Sequence, residues 1–117
     1  MRDHNSTRLS GNLTTDPRPF TTHGADGQPG VDGAEFTLAV NDEWHDRLKG
    51  PQERTDYIGV VCYGPWTAKA LKLQKGDRIL VTGKLRNEEI PAKEPTTKPE
   101  RKTKLRASSL ETLRSIL

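Results

Sequence analysis

Two tyrosines six residues apart carry the first chemical signal in this chain. In Thr55–Tyr63 (TDYIGVVCY) the residues alternate with a period of two, so Ile58, Val60 and Cys62 share one face of a strand, while Tyr57, Gly59, Val61 and Tyr63 share the other. With the first set filling an interior, Tyr57 and Tyr63 stand outside, roughly 20 Å apart along the strand. A ring left outside serves where something flat stacks on it; base–aromatic stacking is worth about 1–3 kcal/mol per base and tolerates any base. The run Arg78–Arg86 (RILVTGKLR) alternates in the same way, Ile79, Val81, Gly83 and Leu85 against Arg78, Leu80, Thr82, Lys84 and Arg86. Its non-core face therefore carries three cations. Stacking platforms beside cations form the pattern that suits a single-stranded nucleic acid. Packing of the two tyrosines against a partner subunit or a loop is the competing reading, and alternation alone does not choose between them.

The charge distribution bears on the same chemistry. The 117 residues carry a net charge of +3, but residues 1–90 hold 12 Lys/Arg against 13 Asp/Glu and residues 91–117 hold 7 against 3. The basic character is thus concentrated towards the C-terminal part, in a segment that includes Arg101, Lys102 and Lys104. A basic stretch beside a near-neutral body suits contact with phosphates, or else it is a solvated basic loop. Leu, Ile, Val and Phe number 23 of 117, close to the composition of disorder, so the core is small and oligomer contacts are expected to support it. Leu110, Leu113 and Ile116 are candidates for burial in such contacts. No apolar run approaches the ~20 residues of a membrane span, and the first ten residues lack the apolar stretch of a signal peptide, so a cytoplasmic protein is expected. The lone Cys62 excludes an internal disulfide and a cysteine-based zinc site.

The elements that must position these groups follow from the same periodicities. Thr7–Leu13 alternates at Leu9, Gly11 and Leu13, and Phe20–Thr22 has room for a short strand. Residues 23–34 are rich in Gly and read as a flexible loop. Glu35–Asn41 gives the clearest alternation, with Phe36, Leu38 and Val40 on one face. Asp42–Arg54 is polar and contains Gly50-Pro51, a loop or extended hairpin tip. Trp66–Gln74 has helical spacing, with Pro65 suited to its first position, Gly76 to its exit and Trp66, Ala70 and Leu73 near one face. Pro91, Pro95 and Pro99 in a charged background make 87–103 a second flexible loop, and a last strand is expected around Lys104–Leu110. Short strands with one helix between the third and fourth fit a single all-β domain, the five-stranded OB-fold barrel, over residues 1–117.

Four pieces of the chain, in order and at matching spacing, resemble the bacterial and phage single-stranded DNA-binding proteins. They are Leu9-Ser10-Gly11-Asn12-Leu13-Thr14-Thr15-Asp16-Pro17; Phe36-Thr37-Leu38-Ala39-Val40-Asn41 followed by Trp44; Tyr57-Ile58, then Val60-Val61-Cys62-Tyr63-Gly64 and Ala68; and Leu73, then Lys75-Gly76-Asp77-Arg78-Ile79, with Val81, Gly83 and Leu85-Arg86. The resemblance implies an OB fold assembled as a homotetramer or homodimer that binds single-stranded DNA without sequence preference, in replication, repair and recombination, at the nucleoid. It implies stacking on Trp44, Tyr57 and Tyr63, and basic contacts at Arg86 and Lys84. Trp44, in a loop among charges, is placed by the resemblance and not by periodicity. With Arg78, Arg101, Lys102 and Lys104 these complete the expected DNA-binding set.

The chain departs from the family pattern at three points. Ile90, preceded by Glu88 and Glu89, stands where a further aromatic is usual, and Lys98, Arg101, Lys102 and Lys104 are positioned to compensate. Gly59 stands where a basic side chain is usual. The sequence to Leu117 shows no acidic, hydrophobic tip of the kind that recruits repair proteins, so that mode of recruitment is not expected. The other reading from the residues is an OB module of primosomal type that bridges proteins and binds DNA weakly. An enzyme has little support: there is no Gly-rich phosphate loop with a lysine, no paired histidine ligands and no nucleophile elbow. No cofactor or metal is expected; Asp42-Glu43-Trp44-His45-Asp46 reads as a solvated acidic loop, and His4, His23 and His45 as surface residues. Cys62, alternating with core residues, is expected to be buried rather than reactive.

Overall fold

The computed structural model describes residues 1–22, 30–90 and 100–113. Six strands and one helix follow in the order β1 (Thr7–Leu13), β2 (Arg18–Thr21), β3 (Asp32–Asp46), β4 (Gly50–Tyr63), α1 (Pro65–Leu71), β5 (Arg78–Ile90) and β6 (Glu100–Thr112). They form one sheet, β1-β5-β6-β4-β3-β2, and a second pairing of β1 with β3 closes five of the strands into a barrel. All neighbours are antiparallel except β4 and β6. With β2 set aside as an extra ribbon on β3, α1 lies between the third and fourth barrel strands, the OB arrangement expected from the sequence. No helix among the described residues is long and apolar enough to cross a membrane.

The alternations named above become the two sides of the barrel wall. Leu13, Phe36, Leu38, Val60, Cys62, Ile79, Val81, Leu105 and Leu110 are buried inside, with Leu9, Val40 and Ile58 packed against them. The helix closes one end. Ala70 is fully buried, Leu73 follows it inward through the bond its N–H donates to the Ala70 carbonyl, and Trp66 packs on the core while Lys69 Nζ sits 5.5 Å from its ring centroid. The helix stops at Leu71 rather than Gln74, because Leu73 leaves the helical line to reach the core. Leu110 is inside its own barrel and so is not spare surface for a subunit contact. Leu113 is half-buried, its N–H bonded to the Arg78 carbonyl, and Ile116 lies outside the described residues.

Two of the expected loops are shorter than their composition suggests. Glu88 stands opposite Lys102, and Asn87 opposite Thr103 with a 2.7 Å bond between their side chains, so β5 and β6 continue through 87–90 and 100–103. Opposite charges and amide–hydroxyl pairs across a ladder stabilise a polar ribbon that single-strand patterning does not reveal. Residues 32–34 likewise belong to β3. The rest of the two loops, 23–29 and 91–99 with Lys98, lies outside the described residues. Asp42–Arg54 is a two-stranded arm, in unbroken register from Gly33↔Tyr63 to Asp46↔Gly50. At its turn Asp46 Oδ1 accepts the N–H groups of Lys49 and Leu48, which hold its carboxyl below the usual value.

Closure requires two close approaches of backbone to backbone. A Cβ on Gly11 would collide with the Ala39 carbonyl oxygen, and one on Gly83 with that of Arg106, at the point where the β5–β6 register shifts. Gly11→Ala and Gly83→Ala are each expected to cost about 1–3 kcal/mol in urea unfolding, since backbone must move. Gly59→Ala, which meets only the flexible stem of Lys104, is expected to cost much less. Burial also pushes the Cys62 thiol up to about 11 from its ordinary 9.0. The folded state therefore favours the neutral thiol, and this contribution is complete below pH 9 and lost as pH rises towards 11. The stability difference between wild type and Cys62→Ala, followed by denaturant unfolding from pH 7 to 11, is expected to narrow by about 2–3 kcal/mol.

Candidate nucleic-acid interface

Because β4 turns Val60 and Cys62 inward, it presents Tyr57, Gly59, Val61 and Tyr63 outward, as the alternation predicts. The neighbouring strands fix what stands beside each. On β3, Ala39 is opposite Tyr57, Thr37 opposite Gly59, and Glu35 opposite Val61. On the other side β6 runs parallel to β4, with Arg106 beside Val61, and β5 lies beyond it with Lys84 opposite Arg106, Arg86 opposite Lys104 and Glu88 opposite Lys102. The outer wall therefore reads in rows: Glu35–Val61–Arg106–Lys84 across four paired strands, then Thr37–Gly59 with the Lys104 stem laid on Gly59 and Arg86 opposite Lys104, then Ala39–Tyr57 and Lys102–Glu88 on the two sides of a cleft. The rows hold five cations and two acids. Like charges directly opposite one another, as at Lys84/Arg106 and Arg86/Lys104, destabilise a ladder by themselves and favour a surface that meets an anion.

A cleft of about 610 Å³ lies along this wall, lined by Tyr57, Gly59, Thr37, Glu35, Lys102, Lys104 and Arg18 among others. Tyr57 is 68% exposed and forms an open platform at its side. Gly59, where the resemblance implies a basic side chain, is covered by the stem of Lys104, whose Cγ would lie 3.3 Å from a Cβ there. The cation missing from β4 is thus supplied by β6 across the ladder. Lys104 Nζ reaches Glu35 Oε2 at 3.4 Å, and the other oxygen of Glu35 accepts a 2.7 Å bond from Arg18 Nη2. Val61 is buried beneath this layer although it does not belong to the core cluster.

Tyr63 is less open than Tyr57. Phe20 of β2 meets it edge-on at 5.7 Å between centroids, and the Arg106 guanidinium lies over its face at 4.7 Å. Its phenol is pushed up, by burial first and then by the nearby carboxylates of Glu88 and Glu35, with Arg106 acting in the opposite direction, so the ring is a neutral phenol near pH 7.

The remaining expected residues are not all brought together. Trp44 is 46% exposed on the arm, opposite Gln52, and borders a second hollow with Glu43, Pro51, Gln52 and Glu53. Its position in the unbroken register puts it on the ribbon face opposite to Tyr57, about 17 Å along the strand from it. Arg78 shares the outward parity of Lys84 and Arg86 but stands at the far end of β5, beside Asn12. Arg101 is in register with Glu89 near the end of the β5–β6 ribbon. Sequence reasoning missed Arg18 and Glu35 as members of the site. Arg18 and Glu35 meet only because β2 folds onto β3 in the register Arg18↔Glu35, and the short polar β2 carries no periodicity that announces this. Arg106 was legible, since it shares the outward parity of Lys102 and Lys104. Among the described residues no group of three His, Cys, Asp or Glu is placed to hold a metal.

The chain is 36% identical over 84 residues to the single-stranded DNA-binding protein of Thermus thermophilus and 30% identical over 84 residues to that of Deinococcus radiodurans, in each case over 72% of this chain. It spans 28% and 26% of those relatives, about a quarter of their length. The structure of the Plasmodium falciparum SSB in complex with ssDNA superposes with a TM-score of 0.73 at 25% identity, covering 97% of this chain and 98% of that one. Residues 4–113 match the profile of the Single-strand binding protein family. A match spanning nearly every residue, on a barrel with its helix in the OB position, leaves no other assignment: this chain belongs to the Single-strand binding protein family.

Proposed function

We propose that this protein binds single-stranded DNA along the outer wall of β3, β4, β6 and β5, without sequence preference and without catalysis, and protects strands exposed in replication, repair or recombination. The observation that carries the reading is the cleft in which the open ring of Tyr57 adjoins Lys102 and Lys104. Bases stack on Tyr57, while Lys102, Lys104, Lys84 and Arg86 follow the phosphates. Tyr63 contributes through the Arg106 guanidinium stacked on it, an arrangement in which a base can meet a cation-covered ring. Trp44 on the arm, and Arg101 near the end of the β5–β6 ribbon, extend the path beyond the barrel, and Arg78 meets a strand that continues around it. The assembly is a homotetramer, or a homodimer, of a protein that works at the nucleoid in the cytoplasm. The family match and the relatives' names support the ligand.

Titration with oligo-dT, with duplex of equal length as the control, tests the reading. Tyr57→Ala is expected to weaken binding by about 1–3 kcal/mol, roughly 5- to 150-fold, with little change in unfolding midpoint because the ring is mostly outside. Quenching of tryptophan fluorescence by dT is expected to vanish in Trp44→Phe, since Trp66 is packed on the core. Unchanged affinity in a folded Tyr57→Ala, or equal binding to duplex, would remove this reading.

The salt dependence provides an independent check on the phosphate path. For single strands the slope of log K against log salt is about −0.7 per phosphate neutralised. Lys84→Gln with Arg86→Gln is therefore expected to flatten the slope by about 1.4, whatever the base composition of the strand.

A further inference from the structure

Glu35 is an anion at the β3 side of a cationic wall, and both of its oxygens are occupied. Oε1 accepts from Arg18 Nη2 at 2.7 Å and Oε2 lies 3.4 Å from Lys104 Nζ. The two cations come from opposite sides, Arg18 from β2 and Lys104 from β6, and all three residues line the cleft beside Tyr57. A carboxylate held between a guanidinium and an ammonium presents oxygens to the same donors that a phosphodiester would use. The two cations are differently free. Arg18 is 80% exposed and can swing, whereas the Lys104 side chain is 24% exposed and its stem is laid along Gly59. Partly exposed ion pairs of this kind contribute only about 0.2–1 kcal/mol each to stability, so their loss does not threaten the fold.

We infer that Arg18 and Lys104 form a phosphate subsite, and that Glu35 is its resident anion in the free protein, displaced from both cations when a backbone phosphate of the strand enters. The inference rests on the DNA-binding reading above and adds to it a site and a competitor. Its physical consequence is specific. Glu35 cancels one of the two positive charges, so fewer phosphates are neutralised, fewer counterions leave the strand, and the wild-type salt slope falls short of the number of cations on the wall. A negative charge is also left beside the incoming phosphate, which weakens the complex.

Glu35→Gln keeps the size of the side chain and removes its charge. It is expected to bind oligo-dT roughly 2- to 30-fold more tightly than wild type near 0.1 M salt, the range that two partly exposed ion pairs allow. Its slope of log K against log salt is expected to steepen by about 0.7, the share of one charge. In an Arg18→Gln background the gain is expected to shrink, because one of the two released cations is gone. If Glu35 instead aims Arg18 and Lys104 at the strand, Glu35→Gln binds more weakly, and weaker or unchanged binding with an unchanged slope overturns the inference. A gain of the same size with and without Arg18 also overturns it, since Glu35 would then act as a diffuse charge. Circular dichroism and the unfolding midpoint establish that each variant is folded. Failure of the parent reading shows differently: wild type itself would then not distinguish oligo-dT from duplex.

Discussion

Everything on the outer wall depends on closure of the barrel, and closure depends on two places where backbones touch with no side chain between them. At Gly11, β1 passes close against the Ala39 carbonyl, which allows one short strand to pair with β5 along most of its length and with β3 at its end. At Gly83, β5 passes the Arg106 carbonyl where the register with β6 shifts, bending the ribbon around the core. Neither contact adds attraction of its own. Each removes an obstacle, and the burial of residues such as Leu38, Ile79, Leu105 and Leu110 then supplies the stability. Further bonds secure the closed end: Leu13 N–H to the Asp77 carbonyl, Gly76 N–H to the Leu13 carbonyl, and Lys75 N–H to Asp16 Oδ1.

Once the barrel is closed, parity determines the chemistry of its surface. A strand cannot place Val60 and Cys62 inside without placing Tyr57 and Tyr63 outside. β6 cannot bury Leu105 without turning Lys104 and Arg106 to the other side. Register then assigns neighbours. Because Val61 is paired with Glu35 on one side and Arg106 on the other, an acid and a base flank the same buried valine. The cationic wall therefore joins Lys102, Lys104 and Arg106 of the basic C-terminal segment to Lys84 and Arg86 of β5. The chain as a whole carries only +3, and its charges are sorted by the pleat into a surface where cations predominate.

What the sequence revealed, and what it did not, follows the same division. Long alternations around a core, at Phe36–Val40, Ile58–Cys62 and Ile79–Val81, are strong signals, and the OB barrel with its helix was legible from them together with the family resemblance. Tyr57 was legible because its strand has an unambiguous inner face. Polar ribbons were not. Residues 87–90 and 100–103 hold together by pairing across the ladder, as Glu88 does with Lys102, and a single strand read alone contains only half of each pair. The arm at Asp42–Arg54 reads equally as a loop or a hairpin for the same reason. The openness of Tyr63 was also invisible in the sequence, since what covers it comes from Phe20, 43 positions earlier, and from Arg106, 43 positions later. Arg18 and Glu35 belong to this class as well: their contact exists only through the register of β2 on β3.

The two acids of the wall invite a single physical explanation. Glu88 stands in register with Lys102, and Glu35 is bonded to Arg18 and Lys104, so each acid has a cation beside it. A wall of five cations and no acid would repel itself in the absence of a ligand, and the cost would fall on the ladders at Lys84/Arg106 and Arg86/Lys104. Acids spaced through the array relieve that repulsion while the wall is empty. Their effect on a bound strand depends on geometry. An acid at the edge, as Glu88 is on β5, leaves the central row of Gly59, Lys104 and Arg86 intact. An acid inside the cleft, as Glu35 is, competes for the same donors as the strand itself. Stability of the free barrel and affinity for a polyanion are thus set in opposition by the same residue, and the position of a carboxylate relative to the cleft, more than the count of charges, determines which of the two it serves.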